Sequence, residues 1–362
     1  MAQPRKRGVA ARTAVLLCLI SAPAGADLDL KFYGDTAFGV RNQSDVSNGF
    51  SAARLELFPT ASTDRVTFLA EIMAEANEEN EVALEVERVQ VSYLFSNWLR
   101  VRAGRMHTAF GYYNDAYHHG RFFEVTTGRP QLVNFEDEGG LLVAHLVGVG
   151  LDGQVALGTA GDLHYDVETG NGRGRIVDEV AILQARKSNK MFNFRLRFLP
   201  NPLEGLMIGA NFAIDQIPRA AAPTMAEPMP PGIPNDMRET VWGAHLVYQQ
   251  HQVHFIAEGA AILHSEEVTG RVFHHYGGFV EAGYSIRDFT PYARYEHIRF
   301  DDVADPFYQT GPLAGLSEYR DGRIGVKWIA TENIALKLEG EITKTSIGPA
   351  VRAGTLQCAF GF

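Results

Sequence analysis

Basic, imidazole and phenolic side chains crowd one stretch of this chain. Arg100 and Arg102 stand two apart, Arg105 and His107 follow, and Tyr112, Asp115, His118, His119 and Arg121 come close behind. Imidazoles beside carboxylates suit zinc or copper, and guanidiniums suit oxyanions. Adjacent histidines rarely both reach one ion, and here neither an H-x-x-x-H spacing nor a cysteine supports them. His107, His118 and His119 therefore read as loop packing and hydrogen-bond partners, with no metal and no other cofactor expected. For hydrolysis, a nucleophile elbow G-x-S-x-G or a zincin H-E-x-x-H would be needed, and the chain has neither. No enzyme is expected.

The elements that position these residues begin after a leader. Arg5, Lys6, Arg7 and Arg12 precede an apolar run from Ala14 to Ile20 and an A-x-A site at Ala24–Ala26. This is the pattern of a secretory signal peptide over residues 1–26, so the mature chain is expected to start at Asp27. Its removal takes four basic and no acidic residues, making an already acidic chain (net −10) more so and arguing against nucleic acid as a partner. Cys358 is then the single mature cysteine, which precludes an intramolecular disulfide.

No mature stretch has the ~18–20 continuous apolar residues of a membrane helix. Alternation of period two is instead pervasive, and it predicts strands with one apolar and one polar face. The last stretch, GTLQCAFGF, sets Leu356, Cys358, Phe360 and Phe362 against Thr355, Gln357, Ala359 and Gly361. Sixteen such segments are read between residues 28 and 362, with fourteen or eighteen left open. In the fourth, Val82–Val86 and Val89–Phe95 have opposite phase, predicting a bulge near Glu87-Arg88. Short connections follow even strands and long ones follow odd strands. Residues 27–362 thus read as an all-β transmembrane antiparallel barrel with short periplasmic turns and long extracellular loops, in contact with outer-membrane lipid. The longest irregular segment, residues 105–142, is the third extracellular connection, and a loop of that length usually has a function of its own. Folded inward, it would narrow the lumen beside Arg100 and Arg102. The inner-face pairs Arg294/Glu296 and Lys337/Glu339 read as lumen networks that hold water.

Gly104-Arg105-Met106-His107-Thr108-Ala109-Phe110-Gly111 resembles the G-x-F-x-x-P-F-G stretch of the phosphate-selective porin O/P-like family, at the same strand-to-loop junction. The resemblance implies a trimeric sixteen-stranded channel in the bacterial outer membrane, and the C-terminal Phe362 resembles the signal read by the barrel-assembly machinery. The expected function is passive diffusion of small hydrophilic solutes or ions. Ala109 and Met106 depart from the family's Pro and Phe. Residues 106–138 hold two arginines, no lysine and five acids, whereas oxyanion selectivity needs dense cationic donors. Phosphate selectivity is therefore not carried over. Two other readings are a scaffold or adhesin barrel presenting its loops to a partner and, behind it, an outer-membrane barrel enzyme.

Overall fold

The computed structural model describes residues 26–43, 48–51, 54–76, 82–117, 120–179, 190–221, 232–301 and 304–362. The alternating segments form sixteen antiparallel strands. They are β1 (Asp27–Arg41), β2 (Arg54–Ser62, preceded by a two-residue piece, Gly49–Phe50), β3 (Val66–Ala76), β4 (Val82–Ser96), β5 (Leu99–His107), β6 (His145–Ala156), β7 (Gly161–Asn171) and β8 (Met191–Pro200). After these come β9 (Leu206–Ile217), β10 (Met237–Gln250), β11 (Val253–Glu266), β12 (Val272–Tyr284), β13 (Phe289–Phe300), β14 (Glu318–Thr331), β15 (Ile334–Thr345) and β16 (Val351–Gly361). Each pairs with its neighbours in sequence, and β1 closes the cylinder on β16, from Tyr33 opposite Gly361 to Arg41 opposite Ala353. Closure pairs the backbone polar groups of both outermost strands, which lipid requires because it offers them no partner.

The pattern of burial is that of a protein turned inside out. Glu71, Asn193, His275 and Lys337 are buried, whereas Leu28, Trp242, Ile324 and Leu338 are more than half exposed. Outward apolar side chains meet acyl chains, so their exposure stabilises the barrel in its membrane. The bulge falls where the phase change puts it: Glu71 lies opposite Arg88 and Ile72 opposite Val86, so Glu87 is the extra residue. The closing strand has the expected facing, with Leu356 outward and Gln357 buried on the inside. Its terminal Phe362 exchanges two backbone hydrogen bonds of 2.8 Å with Phe32. The ring of Phe360 lies over Gly34, where a Cβ would sit 2.5 Å from it.

Connections at the rim bearing both ends of the barrel are short, as at residues 97–98, 251–252 and 332–333. At the other rim they are long, as at residues 108–144 and 301–317. One boundary differs from expectation. β5 and β6 stay paired as far as His107 opposite His145, so Arg105 and His107 belong to a strand and the long loop is 108–144 rather than 105–142. The segment 180–189, His118, His119 and the expected signal peptide up to residue 25 lie outside the described residues.

Candidate functional site

The loop of residues 108–144 owes its path to its composition. It is rich in residues that disfavour a long helix or strand, among them Gly111, Gly120, Gly128, Pro130, Gly139 and Gly140. Its regular structure among the described residues is one helical turn, Tyr113–Ala116, and a 3-10 turn, Gln131–Val133. Such a chain leaves many peptide groups without local partners, and burying those unpaired would be costly.

The barrel wall supplies the partners. On one side, inward carboxylates accept from loop N–H groups: Glu168 from Ala109 (2.8 Å), Glu258 from Tyr112 and Tyr113 (both 3.0 Å), and Glu296 from Gln131 (2.8 Å) and Leu132 (2.7 Å). Glu339 accepts from the Thr127 N–H at 3.1 Å and from its hydroxyl at 2.5 Å. Glu258 and Glu296 each sit at the start of a helical turn, where free N–H groups collect. Conversely, inward cations donate to loop carbonyls. Arg294 reaches Gly128 (2.6 Å) and Arg129 (3.2 Å), Lys337 reaches Arg121 and Thr126, Lys327 reaches Phe122 and Phe123, and Arg195 reaches Gly111 (2.8 Å). Strands β7 to β16 all hold the loop, since Asn211 bonds Ala109 and Gly111, Gln249 bonds the Tyr112 and Tyr117 hydroxyls, Glu281 accepts from the Thr126 hydroxyl and Gln357 bonds Thr127.

Apolar contacts set its height. Phe110 packs on Gly243, where a Cβ would come within 2.9 Å of its ring, and Leu132 packs on Gly277, where a Cβ would come within 2.8 Å. Both loop residues are buried in a cluster with Met106, Tyr113, Phe279 and Ile298. Within the loop, Arg121 pairs Glu124 at 2.9 Å. Burial works to raise the Glu124 carboxyl, but Arg121, Lys337 and Arg129 outweigh it and hold it below the ordinary value. Asp137 goes the other way, pushed up by burial and by Glu138 and Glu136.

The residues singled out from the sequence divide into three groups. Arg294, Glu296, Tyr112 and Arg121 lie at the loop–wall junction, the last through its carbonyl bonded to Lys337. Arg100 and Arg102 line the inner wall on the side of the short turns. Arg100 pairs Asp152 (2.9 Å), and Arg102 pairs Asp152 (2.8 Å) and Glu168 (3.1 Å). Asp115 joins this ladder through Arg195 at 3.0 Å. Arg105 and His107 sit apart, against Glu87 (3.4 Å) and Glu71 (3.3 Å). The pairs Arg294/Glu296 and Lys337/Glu339, read as networks holding water, instead hold the loop's backbone. That difference has a physical reason: a peptide group docked at 2.6–3.1 Å replaces the water that would otherwise solvate each charge. Sequence reasoning passed over Glu168, Asn211 and Glu258. The inward glycines Gly243 and Gly277, each in a strand of larger residues, are the signal that marks where another segment approaches closely.

Of the cavities that flank the loop, two are lined by β1. One, of about 560 Å³, opens to the long-loop rim and sets Arg54, Arg121 and Arg323 among Asp35, Glu138 and Glu341. Its cations are paired: Arg54 with Glu75 (2.8 Å), and Arg323 with Asp321 (2.8 Å) and Glu339 (3.1 Å). The other, of about 270 Å³, lies nearer the short-turn rim beside Lys31, Arg88, Asp115 and Phe123.

A family model described as Gram-negative porin matches residues 13–333. No curated protein matches the sequence. Among solved structures, an anion-selective porin from Comamonas acidovorans superposes with a TM-score of 0.65 at 10% identity, covering 93% of this chain and 100% of that one. Salmonella typhi OmpF, in complex with daunomycin, gives 0.63 at 12% identity over 93% and 98%. The in-vitro folded OmpT of Vibrio cholerae, in its trimer form, gives 0.61 at 10% identity over 93% and 100%.

Proposed function

The chain belongs to the Gram-negative porin family, and from that membership we propose that residues 108–144 are the constriction of its pore. It is a passive channel of the bacterial outer membrane. The observation that carries the constriction reading is the docking of the loop's main chain on inward charges from strands far apart around the barrel, Glu168, Glu258, Glu296 and Glu339. A segment so held occupies cross-section that would otherwise conduct. Deleting residues 112–121 should raise single-channel conductance in planar bilayers while the barrel stays heat-resistant. Unchanged conductance with a folded barrel would overturn the reading and favour a scaffold that presents its loops.

Ionic preference in this channel is weak, and phosphate is not its specialised solute. The support is charge pairing beside the passage, where Arg54 and Arg323 already face carboxylates, so few cationic donors remain for an oxyanion. Reversal potentials in a salt gradient with millimolar phosphate test this; strong anion preference with phosphate block means that the phosphate-porin resemblance extends to function. The assembled form is a homotrimer in outer-membrane lipid, delivered there by the barrel-assembly machinery acting on the strand that ends at Phe362. Support comes from the trimer form of the Vibrio cholerae neighbour and from the apolar outward face of β16.

A further inference from the structure

Where β10 to β12 meet the segment that follows β13, four buried polar side chains converge. His264 projects inward from β11 and His275 from β12, their rings 5.6 Å apart. Asp305, from the long connection between β13 and β14, places Oδ2 2.7 Å from His264 Nδ1 and 2.6 Å from His275 Nε2. The side chains of both histidines are fully buried and that of Asp305 nearly so. Their three donor atoms lie within 4.8 Å of one another.

We propose that His264, His275 and Asp305 form a zinc-type metal site that staples this extracellular connection to the barrel rim. Two imidazole nitrogens and one carboxylate oxygen suit zinc or a neighbouring late transition metal and do not suit calcium or magnesium, which take oxygen sets. The surroundings have the form that metal-bound imidazoles require. His264 turns its other nitrogen to Glu239 Oε1 at 3.2 Å, and Glu239 is in turn held by the buried Arg173 at 3.3 Å. A carboxylate behind the ligand orients the ring and raises its basicity. Asp305 is fixed as well, since its second oxygen accepts the Phe307 N–H at 2.9 Å. Phe307, Tyr308 and Phe300 pack around the two rings and keep the cluster dry. The Tyr308 hydroxyl is buried and without a hydrogen-bond partner among the described residues, a further polar group in the same box. Bound metal would tie β11, β12 and the 304–317 segment together at one point, closing part of the outer mouth.

The test is zinc titration of the refolded full-length barrel in detergent, followed by calorimetry and by the temperature at which the heat-resistant gel band is lost. One zinc ion per chain should bind with micromolar or tighter affinity and raise that temperature. His275→Gln and Asp305→Asn should each abolish both effects. Glu239→Gln, which keeps all three ligands, should weaken binding by about 10–100-fold. His274→Gln, one residue away and half-buried on the outward side, should bind like the parent. No uptake by the parent, or binding that survives Asp305→Asn, or binding lost in His274→Gln instead, overturns the proposal. Folding of each variant is read from the heat-resistant band before zinc is added.

Discussion

Replacing Glu296 by alanine isolates the docking of the loop from the stability of the barrel. Its two oxygens accept the N–H groups of Gln131 (2.8 Å) and Leu132 (2.7 Å), both at the start of a 3-10 turn. Hydrogen bonds to a charged acceptor contribute about 1.5–3 kcal/mol each. Because freed amides in an aqueous lumen regain part of that from water, the docked turn should lose about 3 kcal/mol in total. At 1.4 kcal/mol per factor of ten, the docked-to-undocked ratio falls roughly 100-fold. Hydrogen exchange at the Gln131 and Leu132 amides should accelerate by about that factor, and single-channel records should show added open-level noise. The strand ladder of β13 does not depend on this side chain, so the heat-resistant band should persist. Tyr295→Ala, one residue away and 53% exposed on the outer face, should alter neither exchange nor noise. Exchange in Glu296→Ala equal to the parent would refute the idea that wall carboxylates hold the loop.

Gly243→Val and Gly277→Val should displace Phe110 and Leu132, whose side-chain atoms lie within 2.9 Å and 2.8 Å of the added Cβ; overpacking costs about 1–3 kcal/mol, and open-level noise should rise without loss of the folded band. Leu356→Arg puts a charge on the lipid face, where Leu356 is 52% exposed, and should cost about 2–4 kcal/mol near the midplane, read as a lower urea midpoint for folding into vesicles. The neighbouring Gln357 is not the neutral site its polarity suggests. It donates to Asp35 (2.9 Å) and to the Thr127 carbonyl (3.1 Å), so Gln357→Leu should loosen the loop and raise open-level noise while sparing membrane insertion. The depressed Glu124 carboxyl, held down by Arg121, Lys337 and Arg129 against its burial, makes a contribution that is full above its unfolded value of about 4.3 and is lost as pH falls through the lower folded value. Open-level noise should therefore increase below about pH 4, and Glu124→Gln should remove that part of the dependence.

Most of the barrel was legible because its physics is local. A strand with lipid on one side and a polar lumen on the other must alternate, so Phe192 and Phe194 against Asn193 and Arg195 already declare their faces. The bulge at Glu87 was legible for the same reason, since one extra residue flips the phase of everything after it. The path of residues 108–144 was not, because no periodicity links Tyr112 to Glu258 or Thr127 to Glu339 across more than a hundred residues. The limits of that loop were misjudged for a related reason. Arg105-Met106-His107 alternates in the phase opposite to that of Val101 and Ala103, so the pattern breaks at Gly104, yet pairing with Val147, Leu146 and His145 keeps it in the sheet.

Charge counting along a lumen-facing strand also misleads in a definite direction. Arg294, Lys327 and Lys337 face inward and would each seem to attract anions, but each donates to loop carbonyls and so presents little of its field to the water beside it. Glu258 and Glu296 are likewise capped by loop N–H groups. Removing these from the tally leaves Arg54, Arg121 and Arg323 among Asp35, Glu138 and Glu341, which line the cavity at the long-loop rim. Opposed charges at short range cancel within about a Debye length, roughly 8 Å at physiological salt. A cavity lined in this way repels neither sign strongly. The same inward charges that a sequence invites one to read as a filter thus act mainly as the mounting of the loop.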